Sequence, residues 1–169
     1  YKLLQANTTE FPDFIYNYKS LSIIHSLVET ISVPGFFKNI FGMSGSIEQG
    51  LDEISRVNKY AEENTFMFTL EAEAIYIFMA LYQDNNQELA FDFLNESNLK
   101  KSKSPLAAFV KLKLLQRAGH NDEAIELLLE TLSYTSVKQF PYLYFLMGVS
   151  HLLKLNEESS SYFNEFLDN

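Results

Sequence analysis

The sequence contains no cysteine and no tryptophan, and basic residues are scarce. Without cysteine there are no disulfides, no thiolate metal sites and no cysteine nucleophile. The compartment stays open, because a periplasmic protein without disulfides has the same composition as a cytosolic one. The shortage of positive charge excludes more. Thirteen Lys and Arg against 22 Asp and Glu give a net charge of −9 and a pI near 4.8, whereas a phosphate-backbone partner needs a concentrated positive surface. No nucleic-acid partner is expected. The basic cluster Lys100, Lys101 and Lys103 reads as a solvated linker. No apolar run approaches the ~18 residues of a membrane span, so no integral membrane segment is expected. The chain starts at Tyr1 with no basic segment leading into an apolar one, and is read as a piece of a longer or processed protein.

What is present points to a folded, helical chain. An apolar fraction of 47% with 21% charged residues is that of a globular protein, and 169 residues suit one compact domain or a short repeat array. Fifteen Phe and ten Tyr supply flat side chains that can fill seams between helices. Apolar positions recur at helical spacing almost throughout, and alternating β-branched stretches with hairpin turns are missing. The fold class is all-α. Breaks such as Pro34-Gly35, Asp84 to Asn86, Asn98 to Pro105 and Gly119-His120 separate helices expected near 10–32, 46–62, 65–83, 86–97, 104–118, 121–133, 138–154 and 156–168.

Internal register then decides the architecture. Ala90 and Ala124 stand 34 residues apart, and Phe93-Leu94 and Leu127-Leu128 keep the same offset. Tyr162-Phe163 follows 35 residues further on, with Ser159 in the alanine position. Gly45 and Gly50 are spaced like Gly119 and Ala124, marking 46–60 as another second helix. Small residues at these crossings let helix axes close to the ~8–10 Å of packed pairs.

With this period and these small positions the chain resembles the tetratricopeptide repeat (TPR) family. Residues 104–132 match well through Gly119, Ala124 and Leu128, and 138–168 match in the first helix through Tyr144, Met147 and Gly148. Residues 65–97 keep Ala90 but place Phe78 at the family's first glycine, so that pair is expected to stand wider apart. The segments KSLSIIHSLVETISVP, GMSGSIEQGLDEI and FPYLYFLMGVSHLLKLNEESSSYFNEFL resemble a group of bacterial TPR proteins with an irregular, extended first repeat. Less closely, they are similar to eukaryotic TPR proteins linked to mitochondrial outer membranes and lipid handling. The resemblance implies one domain, an α-α superhelix (TPR-like solenoid) of about four helix pairs. Residues 1–62 would form the irregular pair with its long connector VPGFFKNIFGM, followed by repeats over 63–98, 99–135 and 136–169. A bacterial periplasm, cell envelope or cytoplasm all fit.

Catalytic chemistry finds little support. Among the histidines, His25 with Glu29 stands at metal-ligand spacing on one helical face, and an ordinary helix contact explains the pair. Asp122-Glu123 and Glu157-Glu158 sit in first helical turns, where the helix dipole favours negative charge. No GxSxG elbow, Walker or dinucleotide glycine pattern occurs. No enzyme activity, metal or cofactor is expected.

What the resemblance implies instead is a groove lined by the first helix of each pair, which accepts a peptide or partner protein. Its inner-face positions fall on Tyr82, then Phe109, Lys113, Gln116 and Arg117, then Tyr142 and Phe145. Ile75, Met79, Gln83, Val149 and Leu152 share those faces. Aromatic anchors with a basic step at Lys113 and Arg117 fit a ligand bearing a carboxylate or phosphate beside apolar groups. The family's clamp for C-terminal carboxylates is not expected, because Phe109 occupies its lysine site and Lys113 its asparagine site. The alternatives are a carrier of an apolar ligand such as a lipid, with the connector as a lid, and a helical accessory domain of a larger envelope-associated assembly. Tyr162, Phe163 and Phe166 near the end of the chain lead to an expectation of self-association through the last helix.

Overall fold

The computed structural model describes residues 1–30, 44–134 and 140–168. The connector VPGFFKNIFGM and the lid role considered for it lie outside these residues. All regular structure among the described residues is helical: α1 Lys2–Glu10, α2 Ile15–Thr30, α3 Ile47–Glu63, α4 Thr69–Phe78 running on into a π-helical turn Met79–Gln83, α5 Gln87–Glu96, α6 Asn98–Lys101, α7 Pro105–Ala118, α8 Asn121–Tyr134, α9 Tyr142–Leu153 and α10 Ser159–Leu167. The chain divides into two compact units, Tyr1–Asn98 and Leu99–Asn169.

Two expectations are corrected at once. The helix expected over 10–32 begins only at Ile15, and a separate α1 precedes it. Pro12 is the cause, since proline disfavours helical geometry in the residue before it; Phe11 accordingly has φ −129° and ψ 73°. The segment carrying Lys100 and Lys101 is a short helix rather than a loop. Lys111 donates its ammonium to the carbonyls of Lys100 and Ser102, at 2.8 and 3.2 Å, and so closes that helix's C-terminal end.

In the first unit α2 and α3 pack along small residues. A Cβ on Gly50 would lie 2.7 Å from the Ser22 carbonyl oxygen and 2.8 Å from Ser26 Cβ, so only glycine allows this approach. Ser46 caps α3 by accepting from the Gln49 N–H at 3.0 Å. The apolar centre is Ile54, Val57, Phe66, Ala72 and Met79. Beyond Phe78 α4 continues as the π turn, with the Asp84 N–H reaching the Met79 carbonyl at 3.0 Å. Asn86 then caps α5 through the Leu89 N–H, and Ala90 is fully buried.

In the second unit Ser104 caps α7 with Pro105 in the first turn, and Gly119 ends it at φ +79°. The His120 N–H returns to the Leu115 carbonyl at 2.9 Å, closing a glycine-type C-cap. Leu112, Ala124, Leu128, Leu143, Leu146 and Met147, all at zero exposure, form the core shared by α7, α8 and α9. At the last crossing a Cβ on Gly148 would stand 2.7 Å from the Phe163 ring. Of the small residues singled out by register, Ala90 and Ala124 are fully buried and Gly45 and Gly50 lie close against α2, whereas Gly119 serves the turn and Ser159 is half-buried.

Candidate functional site: an apolar cleft on α7 and α9

Pro105 and Leu106 open α7, and Phe109 follows Leu106 by three residues, putting the two on one face. Across from them Phe140 and Tyr142 lead into α9. Together these five residues line an open cleft of about 490 Å³, within the range of small-ligand pockets. Aromatic contacts hold its walls: Phe109 lies 6.0 Å from Tyr142 between ring centroids, and Tyr142 stacks on Phe145 at 4.9 Å. Phe145 in turn meets Phe163 and Phe166 of α10 at 5.8 and 5.6 Å. The α10 aromatics offered for self-association are therefore half-buried against α9, while Leu167 is 77% exposed.

One turn beyond Phe109, Lys113 is half-buried, and burial lowers its pKa. It makes no ion pair among the described residues. Arg117, a further turn along, is exposed and carries contacts of its own. Burial thus weakens the solvation of the Lys113 ammonium, on the helix that also carries the cleft residues Leu106 and Phe109.

The predicted inner-face residues separate here. Phe109 and Tyr142 come together in the cleft, with Phe145 supporting it and Lys113 and Arg117 on the same face of α7. Gln116 is buried between helices instead. Its side-chain NH2 donates to the Leu146 carbonyl at 3.1 Å and to Ser150 Oγ at 2.9 Å, cross-linking α7 to α9. Tyr82 belongs to the first unit, on the π turn, 48% exposed. Met79 is buried in that unit's core. Phe140 and Leu106 are cleft residues that the sequence reading left out, because the family positions carried across were confined to other sites on the first helices.

The histidines take structural places. His25 is buried and turns not to Glu29 but to Glu53 on α3, with Nδ1 at 2.8 and 2.9 Å from the carboxylate oxygens. Glu29 instead accepts from the Ile47 N–H at 2.6 Å, at the start of α3. A histidine–carboxylate pair at helical spacing that the sequence reading missed is His120 with Glu123, 2.9 Å apart and exposed. His151 stacks on Tyr162 at 5.0 Å, with Nδ1 3.5 Å from Glu158. Among the described residues no group of three His, Cys, Asp or Glu is placed to hold a metal ion, and no helix is long and apolar enough to cross a membrane.

No protein-family model, curated protein or solved structure matches the chain.

Proposed function

We propose that the chain is a non-catalytic protein-interaction module, a TPR-like α-α solenoid, that binds a peptide segment of a partner through the α7–α9 cleft. The partner inserts an aromatic or aliphatic side chain between Leu106, Phe109 and Tyr142, and sets an acidic group against Lys113 and Arg117. The observation that carries this reading is the juxtaposition of an apolar cleft of about 490 Å³ with a half-buried lysine one turn away. Buried aromatic anchors supply most of the affinity in such contacts, and the charge orients the ligand. The solenoid part of the reading is supported by Ala90 and Ala124, both fully buried 34 residues apart.

A pull-down comparing the native chain with the double variant Lys113→Glu, Arg117→Glu tests the reading. Loss of a specific partner from the variant is expected, and identical captures would overturn it. The volume and apolar lining of the cleft also suit a free apolar ligand. Native mass spectrometry with lipid extraction separates that carrier reading, which requires a stoichiometric bound molecule. Self-association through α10, around the exposed Leu167, would appear as concentration-dependent sedimentation; a strictly monomeric species at high concentration would remove it.

A further inference from the structure

A second site lies in the first unit and shares no residue with the cleft. Asn58 on α3 is 5% exposed, and neither atom of its side-chain amide has a hydrogen-bond partner among the described residues. A buried amide left without partners is costly, by about 1–3 kcal/mol for an unsatisfied group, so what it faces matters. It lines a largely enclosed cavity of about 70 Å³ between α3, α4 and α5. One ordered water needs roughly 10–15 Å³ of such space, so a small ligand group fits.

The walls have one sign of charge. Glu62, Glu73 and Glu96 all contribute, with Phe93 beside them, and no Lys, Arg or His is among the described lining residues. Glu73 is 5% exposed and already accepts from the Asn98 N–H at 3.0 Å and its side-chain NH2 at 2.7 Å. Glu62 and Glu96 are exposed at the rim. The Phe93 ring is held by stacking on Tyr76 at 4.2 Å. Three carboxylates around a small cavity attract a cation, yet they are not spaced to chelate a metal ion. A cation that reaches oxygen acceptors through N–H bonds, and that tolerates an aromatic wall, matches this arrangement better.

We infer that this cavity is a binding site for a primary ammonium group. Its N–H bonds go to the Asn58 side-chain oxygen and to the Glu62 and Glu96 carboxylates, and its first methylenes lie along Phe93. The same chemistry is carried by a free small amine and by a lysine side chain of another protein, and the test distinguishes them.

The side-chain amide signal of Asn58 is followed by nitrogen–proton NMR in the full 169-residue chain while n-propylammonium is added, and separately a blocked glycine-lysine-glycine tripeptide. Saturable shifts with the free amine alone identify a small-amine site, and saturation with both identifies a site open to a lysine side chain. In either case Glu62→Gln and Glu96→Gln each weaken binding by roughly tenfold, the effect of losing one charge-assisted hydrogen bond. Glu88→Gln, an exposed change on the same α5, leaves it unchanged. Three results would overturn the inference: no saturable shift with either probe, an equal response to tetramethylammonium, which has no N–H to donate, or indifference to both rim substitutions. Circular dichroism of the two exposed-site variants checks that they retain the fold.

Discussion

The two units close their helix seams in different ways. Between α2 and α3 the contact is made by glycine, serine and a buried His25–Glu53 pair, with backbone close to side chain at Gly50. Between α7, α8 and α9 it is made by fully buried leucines and Met147, with Gln116 the polar cross-link. Close polar seams leave little space, and specificity comes from partners that must match. The bulkier apolar seam of the second unit holds its helices by volume, and its aromatic fringe extends past the core to form the α7–α9 cleft. An open cleft thus arises where large side chains outnumber the small ones that would close the gap.

Substitutions that attack each seam by its own chemistry separate the two modes of closure. The largest effect is expected from Leu146→Ala, which empties a site of zero exposure in the second unit. Urea unfolding should record a loss of about 2–5 kcal/mol. Next comes Glu53→Ala, which strands the buried His25. The cost is that of a buried polar group left without its partner, about 1–3 kcal/mol, and replacing both partners by apolar residues of similar size should recover most of it. Gly50→Ala sharpens the contrast because its new Cβ meets the Ser22 carbonyl, and overpacking of about 1–3 kcal/mol is expected. Gly119→Ala meets no atom within 4 Å, so its cost of about 1 kcal/mol reflects the left-handed backbone alone. The smallest effect belongs to Lys113→Met. Burial holds the Lys113 pKa below its ordinary value, so the unfolded chain binds the proton more tightly. Stability therefore rises with pH between the folded and the ordinary lysine values. The variant should lose that rise while changing neutral stability by less than about 0.5 kcal/mol, measured by urea unfolding at neutral and alkaline pH.

Much of the helical layout was legible because its signals are local. Ser104-Pro105 starts α7, Gly119 ends it, Asn86 caps α5, and each acts through neighbours within a few residues. Pro12 was an equally local signal that went unused, and α1 was missed with it. The π turn after Phe78 carries no such mark, since the sequence keeps its helical pattern through Met79–Gln83. Long-range partners were the harder part. Glu53 rather than Glu29 meets His25 because the seam, not the helix, sets that distance. Phe109 and Tyr142 were named separately from family positions and meet in the cleft, whereas Gln116, placed on the same face, turns into the core. A helical face has edges, and only packing decides which residue falls inside them. The Asn58 cavity could not have been read at all, because its residues come from several helices distant in sequence.

The proposed arrangement seats an apolar side chain in the α7–α9 cleft and an anion at Lys113. It is tested most directly by mapping amide and side-chain NMR shifts of the chain as an aromatic peptide ending in an acidic residue is added. Perturbations should centre on Leu106, Phe109, Lys113 and Tyr142 and disappear in Lys113→Glu. Saturable perturbations centred elsewhere, or binding undiminished by that substitution, would contradict it.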